Sequence, residues 1–337
     1  MERNLYPLKL VPVCKEIIWG GTRLKSEYGK VSDLEKIAES WELTVRGDGM
    51  NVIDNGEYKG MTLGEYLGDK AEGFPLLIKL IDACDKLSIQ VHPDDDYARE
   101  KEGEYGKTEM WYIVDAEPGA KLVYGLKNYN KDTFRAAVEN GTLEDYMNYV
   151  DVKKGDVFFI PAGYVHAIGA GILIAEIQQS SNVTYRVYDY MRRGKDGKLR
   201  ELHVDKALDV IIDHTEEGIE AIRYADGKDA SSLANCKYFK VDRYVVDGGM
   251  TLSADNGFLH ILCLDGEGEV GGVSCKKGES ILLPAGLTGV TVSGKGFEII
   301  TSSANNHKRR INNYGRKNGS GNYLDGRGFC PMVHRYC

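Results

Sequence analysis

Four polar residues in otherwise apolar stretches could bind a metal ion. Gln90 and His92 alternate with apolar residues in Leu87–His92, Glu109 opens another apolar run, and His166 follows a third. Residues two apart on a strand share a face, and a small barrel fills its interior with apolar groups, so polar groups on that face need a partner. Two imidazoles, a carboxylate and an amide suit zinc, with iron, manganese or cobalt as alternatives. The residue types therefore predict a metal site.

The spacing around His166 ties this residue to a turn and a strand. Gly155–His166 reads glycine, five residues, proline, one residue, glycine, two residues, histidine. This pattern predicts a turn, a strand, a second turn and then the ligand. A histidine taken alone is more often a hydrogen-bonded core or surface residue, and His92 before Pro93 could simply end a strand. The four residues together favour the metal site.

Short strand-like runs separated by glycine-containing turns make up most of the chain. Such a pattern predicts a mainly β protein built of barrels or sandwiches. The frame of Gly155–His166 recurs in Gly278–Gly289, where Gly289 stands in place of His166. We therefore expect two related β-barrel (jelly-roll) units, of which only the first keeps a metal site.

Helical segments are few, and they fall within the first part of the chain. Thr62 is the predicted N-cap of a helix that ends near Lys70, and helical insertions are expected at about 94–106, 130–149 and 204–212. The length favours two domains, residues 1–235 with the metal site and residues 236–303 without it. Residues 304–337 hold seven Lys/Arg, one Asp and few aliphatic residues, which predicts a basic, disordered tail.

Composition and charge exclude several classes of protein. The net charge of -8 leaves an acidic body once the basic tail is set apart, which argues against nucleic acid as a partner. No stretch approaches the roughly 18 apolar residues of a membrane span, and the N-terminus does not read as a signal peptide. Seven scattered cysteines without a CxxC pair favour free thiols in a reducing compartment. We expect a cytoplasmic protein with no nucleic-acid or membrane partner.

Four stretches resemble the motifs of one enzyme family. They are Leu87–Asp94 (LSIQVHPD), Gly106–Trp111 (GKTEMW), Pro161–His166 (PAGYVH) and Gln178–Tyr190 (QQSSNVTYRVYDY). The first three resemble the metal motifs of the cupin superfamily, and all four resemble type I phosphomannose isomerase in its short bacterial form. The resemblance covers about residues 5–302. It implies two cupin domains with a small helical insertion, and an enzyme that interconverts mannose 6-phosphate and fructose 6-phosphate.

The resemblance also implies a cofactor and roles for individual residues. It implies one zinc ion per chain, bound by the residues that match the family's ligands: Gln90, His92, Glu109 and His166. Arg186 matches the active-site arginine, and Lys79 and Lys107 match lysines of the substrate pocket.

The three cations make chemical sense in an aldose–ketose isomerase, although each has another interpretation. The chain lacks a phosphate-binding glycine loop, so cationic side chains must bind the phosphate. Arg186, on a face with tyrosines, suits a pocket, or else an ion pair with an acidic neighbour. Lys79 lies in an apolar run, where a lysine needs a carboxylate or a bound anion. Lys107, two residues from Glu109, is a candidate base for moving the proton through an enediol, or else an exposed lysine at a strand entrance.

Two other functions stay open. An iron-dependent cupin oxygenase more commonly has a further histidine where this chain has Gln90, and it needs no phosphate-binding cations. A non-catalytic sugar-binding cupin is disfavoured by the intact set of ligands. The expected partner is a small phosphosugar, and the chain is expected to be a monomer or weak homodimer.

Overall fold

The computed structural model describes residues 3–194, 197–212, 222–223, 230–255 and 257–305. Its strands are β1 Leu8–Val11, β2 Val13–Lys15, β3 Glu39–Leu43, β4 Val45–Arg46, β5 Gly49–Met50, β6 Val52–Ile53, β7 Leu76–Ala83, β8 Ile89–Val91, β9 Glu109–Ala116, β10 Lys121–Leu126, β11 Met147–Asp151, β12 Asp156–Ile160, β13 His166–Ile168, β14 Ile172–Gln179, β15 Tyr185–Tyr188, β16 Ile222–Arg223, β17 Ala230–Asn235, β18 Phe239–Leu252, β19 Leu259–Asp265, β20 Glu267–Val270, β21 Val273–Lys276, β22 Ser280–Leu283 and β23 Val290–Ala304. The α-helices of this part of the chain are α1 Arg23–Ser26, α2 Leu63–Leu67, α3 Asp95–Glu102, α4 Lys131–Asn140 and α5 Val204–Val210. Single 3-10 turns lie at Gly56–Tyr58, Gly68–Lys70 and Leu143–Tyr146. The predicted mainly β class is confirmed.

The first unit consists of two sheets that face each other. Seven strands form one sheet in the order β16-β12-β9-β14-β7-β3-β2, and five form the other in the order β11-β10-β13-β8-β15. Inward-pointing apolar side chains of both sheets form one buried core, which includes Trp111, Phe158, Ile174, Leu122 and Ile168. Because every second residue of a strand points to the same side, polar residues at matching positions also point between the sheets.

The second unit is a nine-stranded sheet that curls around its own core. Its longest strands, β18 and β23, pair along most of their length, and its buried interior includes Val246, Ile261, Val292 and Phe297. The N-terminal strand β1 pairs with β22, and β6 pairs with β1. This sheet is therefore not formed by residues 236–303 alone.

The two units share a third core. The outer face of the seven-stranded sheet packs its buried side chains against those of the second unit, among them Ile78, Met110, Ile177, Phe239 and Ile300. All eight residues of β7 are buried as a result. Burial on both faces explains why β7 reads in the sequence as a continuous apolar run rather than as an alternating strand.

Helices cover the outer face of the five-stranded sheet. Phe134 and Ala137 of α4 and Leu208 of α5 pack onto Val123 and Val187. This layer leaves only the inward face of the five strands free to form a site.

The predicted helices are confirmed at three places and wrong at the end of one. Thr62 begins α2 with a capping box, α3 lies within 94–106, and α5 lies within 204–212. The helix expected over 130–149 ends at Asn140, because Gly141 takes a left-handed conformation with φ 70°. The remainder of that range contains a 3-10 turn and the start of β11.

The internal repeat extends to backbone conformation and strand pairing. Gly155 and Gly278 have φ of 91° and 84°, and Gly163 and Gly286 have φ of 85° and 89°. The order β12-β9-β14-β7-β3 in the first unit corresponds to β22-β19-β23-β18-β17 in the second. Each strand of one series therefore has a counterpart in the other.

The expectations about the C-terminal tail and about membrane spans can be compared with the described residues only. Of the predicted tail 304–337, only Ala304, the last residue of β23, and Asn305 lie within the described residues. Among the helices of the described part, none has the length and apolar character needed to cross a membrane.

Candidate active site

Strand register brings the predicted ligands to one point between the two sheets of the first unit. His166 of β13 lies directly opposite Gln90 of β8, and Gln90 lies opposite Arg186 of β15. His92 immediately follows β8 on the same face as Gln90. Glu109, the first residue of β9, approaches from the facing sheet. Four of the seven predicted site residues thus lie around this point, Arg186 lies one strand further along the same row, and the two lysines are described below.

The atoms of three residues converge closely enough to share one ion. Glu109 Oε1 lies 3.3 Å from His166 Nε2 and 3.8 Å from His92 Nε2. The potential ligand atoms of the three residues all lie within 4.8 Å of one another, and all three side chains are buried.

Backbone carbonyls set the protonation of both imidazoles. His92 Nδ1 lies 2.8 Å from the carbonyl oxygen of Val183, and His166 Nδ1 lies 2.8 Å from that of Tyr164. A carbonyl only accepts hydrogen bonds, so each Nδ1 carries the proton and each Nε2 turns its lone pair to the centre. Burial lowers the pKa of His166 to about 4. Burial and then the Lys107 charge lower the pKa of His92 well below its usual value.

The resulting centre lacks a positive charge that its own atoms could supply. His92 Nε2 and Glu109 Oε1 are buried without a hydrogen-bond partner. Acceptor atoms that face one another in a buried space repel, and leaving two of them without a hydrogen-bond donor is unfavourable. A divalent cation with nitrogen and oxygen ligands removes both problems, so the residues present fit a metal ion.

Gln90 stands beside this centre and is less buried than the other three residues. Its Nε2 lies 3.4 Å from His166 Nε2, and a half-turn of the amide would exchange that nitrogen for the oxygen. Its role as a ligand stays a prediction.

A chain of buried ion pairs leads away from Glu109. Lys107 Nζ lies 3.0 Å from Glu109 Oε2 and 3.9 Å from Glu176 Oε1. Lys79 Nζ lies 3.1 Å from the same oxygen of Glu176 and 3.4 Å from Glu39 Oε2. Lys79 therefore has carboxylate partners, one of the two conditions expected for a lysine in an apolar run. Lys107 is buried, not exposed at a strand entrance.

Burial and neighbouring charges shift the pKa values of these buried groups in different directions. Burial would lower the pKa of Lys79, but Glu39 and Glu176 outweigh burial and raise it above its usual value. Burial would raise the pKa of Glu176, but Lys107 and Lys79 lower it. Burial raises the pKa of Glu109. Lys79 and Glu176 are therefore held in their charged forms.

Glu176 is a site residue that the sequence reasoning missed. It lies opposite Lys79 in β7, and its Oε2 accepts a hydrogen bond of 2.9 Å from Trp111 Nε1. The available signal was the same as for Lys79, because Glu176 is the only charged residue in the apolar run Ile172–Ile177.

Arg186 has no carboxylate partner among the residues that the structure describes. Its Nε lies 3.2 Å from Ser88 Oγ, and its Nη1 lies 2.9 Å from the carbonyl oxygen of Glu201. Nearby Arg192 and Arg200 are instead paired with Asp189. Burial, followed by the neighbouring arginines, lowers the pKa of Arg186. The half-buried guanidinium, in register with Gln90, is thus available to an anion.

The second unit lacks this set of ligands. Its β19 and β22 pair so that Leu259 lies opposite Leu283, as Glu109 lies opposite Ile160. Leu259 therefore takes the position of Glu109, and Gly289 takes that of His166. In the described ranges, His92, Glu109 and His166 form the only cluster of His, Cys, Asp or Glu with metal-binding geometry.

Comparison with known proteins points to one family. Residues 7–122 match the family profile described as phosphomannose isomerase type I, catalytic domain, and residues 229–304 match mannose-6-phosphate isomerase, cupin domain. The chain is 41% identical over 296 residues to the mannose-6-phosphate isomerase ManA of Bacillus subtilis, covering 83% of this chain and 94% of the relative. It is 36% identical over 312 residues to the mannose-6-phosphate isomerase of Streptococcus mutans, covering 89% and 98%.

A solved structure agrees with these relatives. The crystal structure of the mannose 6-phosphate isomerase from Bacillus subtilis superposes with a TM-score of 0.80 at 35% identity, covering 88% of this chain and 99% of that chain.

Substitution of the converging residues should remove the metal. We expect His166→Ala to weaken zinc affinity by more than about 100-fold, because a direct ligand is lost, whereas outer partners of ligands change affinity by about 10–100-fold. Gln90→Leu should cost about tenfold or less, since an amide oxygen is a weak donor. Competition with a chromophoric chelator measures both affinities.

His203→Ala is the matched control, because His203 lies near Arg186 and outside the converging set. Unchanged zinc affinity in His166→Ala would contradict the site.

Proposed function

The chain belongs to the type I phosphomannose isomerases, a metal-dependent family, and on this premise we propose that it interconverts mannose 6-phosphate and fructose 6-phosphate. One observation supports the proposal most directly. Three buried acceptors suited to a cation include His166, which shares a strand-register row with Gln90 and Arg186. Arg186 is a half-buried arginine that has no carboxylate partner among the described residues. A phosphosugar offers both a carbonyl for the first group and an anion for the second.

The reaction moves a proton between the adjacent carbons C1 and C2 of the open-chain sugar. His92, Glu109 and His166 would hold a divalent cation, which would supply positive charge near the oxygen that becomes negative in the enediolate. We propose zinc, with Gln90 as the fourth ligand, because the family's motifs are matched at these residues. The protein's remaining task is to move the proton and hold the phosphate.

Lys107 is the better placed of the two lysines to act as the base. Lys79 is held between Glu39 and Glu176, and its raised pKa keeps it protonated at neutral pH, so it cannot accept a proton. The carboxylate closest to Lys107 is that of Glu109. If Glu109 binds the metal, its negative charge is shared with the cation, and it stabilises the protonated form of Lys107 less than a free carboxylate would. We therefore assign proton transfer to Lys107. Lys79 and Glu176 keep the surrounding charges in place.

Arg186 is the proposed phosphate ligand. Its guanidinium now donates to a serine hydroxyl and to a backbone carbonyl, which are neutral acceptors. A phosphate offers charged acceptors in a geometry that a guanidinium matches with two parallel hydrogen bonds. Exchange of neutral acceptors for a charged one would favour substrate binding.

Several finer features belong to the same proposal. We propose that both units are cupin domains, with residues 1–235 catalytic and 236–303 free of metal. Their common strand order and matching glycine conformations support two related domains, although β1, β6 and β17 of the first range pair within the second sheet. Phosphosugar is the proposed partner, and we propose a cytoplasmic monomer or weak homodimer that binds neither nucleic acid nor membrane.

Turnover of mannose 6-phosphate tests the proposed function directly. Zinc-loaded protein should form fructose 6-phosphate, and exhaustive dialysis against chelator should abolish turnover, with recovery when zinc is returned. A coupled assay for fructose 6-phosphate measures the rate. No product from zinc-replete protein would overturn the proposal. Oxygen uptake with iron-loaded protein would instead favour the cupin oxygenase, and sugar binding without any reaction would favour a binding protein.

Arg186→Ala should abolish measurable turnover of mannose 6-phosphate while zinc content stays full. Loss of a charged hydrogen bond to phosphate removes substrate binding and positioning, and we expect kcat/KM to fall by at least about 100-fold. Steady-state kinetics and metal analysis on the same sample measure the two quantities.

Arg192→Ala is the matched control, because Arg192 is paired with Asp189; it should keep most of the activity. Full activity in Arg186→Ala would rule out the assigned role.

Replacing Lys107 or Lys79 by arginine distinguishes a lysine that acts as a base from one that only supplies a positive charge. Arginine keeps the positive charge but does not release its proton in proteins. Lys107→Arg should therefore lower kcat by about 10²–10⁴-fold and remove the acidic limb of the pH–rate profile. Lys79→Arg should retain that limb and most of the rate, which controls for the bulk of arginine at a buried position. An unchanged profile in Lys107→Arg would exclude Lys107 as the base.

A further inference from the structure

The second unit has a counterpart for every residue of the catalytic ion-pair chain on β7 and β14. Thr301 of β23 lies opposite Ile261 of β19, as Glu176 lies opposite Trp111. Asp242 of β18 lies opposite Thr301, as Lys79 lies opposite Glu176. The register thus places Thr301 at the position of Glu176 and Asp242 at the position of Lys79.

These counterpart positions line one open cleft of about 580 Å³. Leu259, which replaces Glu109, forms part of its wall, as do Asp242 and Thr301. Ser303, two residues beyond Thr301 on the same face, takes the position of Gln178 and also lines the cleft. The cleft is therefore the second unit's equivalent of this part of the candidate site, with Lys79, Glu176 and Glu109 replaced by Asp242, Thr301 and Leu259.

The side chains of the cleft are suited to hydroxyl groups rather than to a metal or a phosphate. Lys240 is its only lysine or arginine, and Lys240 Nζ lies 2.7 Å from Asp242 Oδ2. A second carboxylate, Asp255, also lines the cleft, so its charge is negative overall and disfavours an anion. The described residues around it contain no set of His, Cys, Asp or Glu with metal-binding geometry.

We propose that this cleft binds an uncharged hexose or hexitol. Asp242 would accept hydrogen bonds from ligand hydroxyls, and Ser303 would donate to them, whereas the Thr301 hydroxyl already donates to the carbonyl oxygen of Asp242. The ring of Tyr244 and the side chain of Leu259 offer apolar surfaces to the C–H groups of the ligand. The site lies in the second unit, takes no part in the isomerisation, and goes beyond the function proposed above.

Saturation-transfer NMR on the full zinc-loaded chain tests the proposal, with D-mannitol and D-mannose as probes. D-Mannitol has no carbonyl and cannot be isomerised. Saturating mannose 6-phosphate is added to occupy the catalytic site, so that transfer to the probe reports the cleft alone. We expect transfer to persist under these conditions. Affinity for D-mannitol should fall at least tenfold in Ser303→Leu, which fills the cleft, and in Asp242→Asn, which is isosteric.

Thr291→Leu is the matched control, because Thr291 is an exposed hydroxyl residue on the same strand β23 and does not line the cleft. Isomerase turnover of each variant should equal that of the wild type, which verifies folding. No transfer to either probe would overturn the inference, as would transfer that mannose 6-phosphate abolishes or that survives both cleft variants. Failure of the isomerase assay would leave the probe binding intact, so the two proposals fail separately.

Discussion

The repulsion among three buried acceptors is the constraint on which the first unit depends. Two imidazole nitrogens and a carboxylate oxygen face one another in the interior, and the backbone carbonyls of Val183 and Tyr164 prevent either ring from turning a proton inward. A cation resolves the repulsion, and its binding energy then stabilises the folded site. The lysines beyond Glu109 follow from the same constraint, since each buried charge needs an opposite one close by.

Antiparallel register is the means by which distant residues reach these positions. Glu176, Lys79 and Trp41 form one row across β14, β7 and β3, while His166, Gln90 and Arg186 form another across the facing sheet. A row of this kind holds side chains rigidly, because shifting one strand by a single residue would turn its polar groups to the opposite face. Of the proposed ligands, Glu109, His166 and Arg186 therefore lie on strands and His92 directly follows one, which favours a preorganised site.

The sequence was most informative where chemistry and spacing lie within one short segment. His166 follows a turn, strand and turn contained in a dozen residues, and Gln90 and His92 show their common face directly. Glu176 was missed because its meaning depends on lying opposite Lys79, and pairing between distant strands cannot be read from alternation alone. The overlong helix over 130–149 arose because its apolar spacing continues past Gly141. The addition of β1 to the second sheet had no local signal at all.

The pairing of β1 with the second sheet has a consequence for folding during synthesis. Lys9, in β1, forms an ion pair with Glu279, 270 positions later. At roughly 5–20 residues per second, a ribosome needs about 15–50 s to add that length, and during this time β1 can pair with β6 but not with β22. The edge of β1 that faces β22 is thus paired late, and an unpaired edge is open to association with other nascent chains. Emergence of β22, rather than emergence of the first unit, therefore sets the earliest moment at which β1 can join the rest of this sheet.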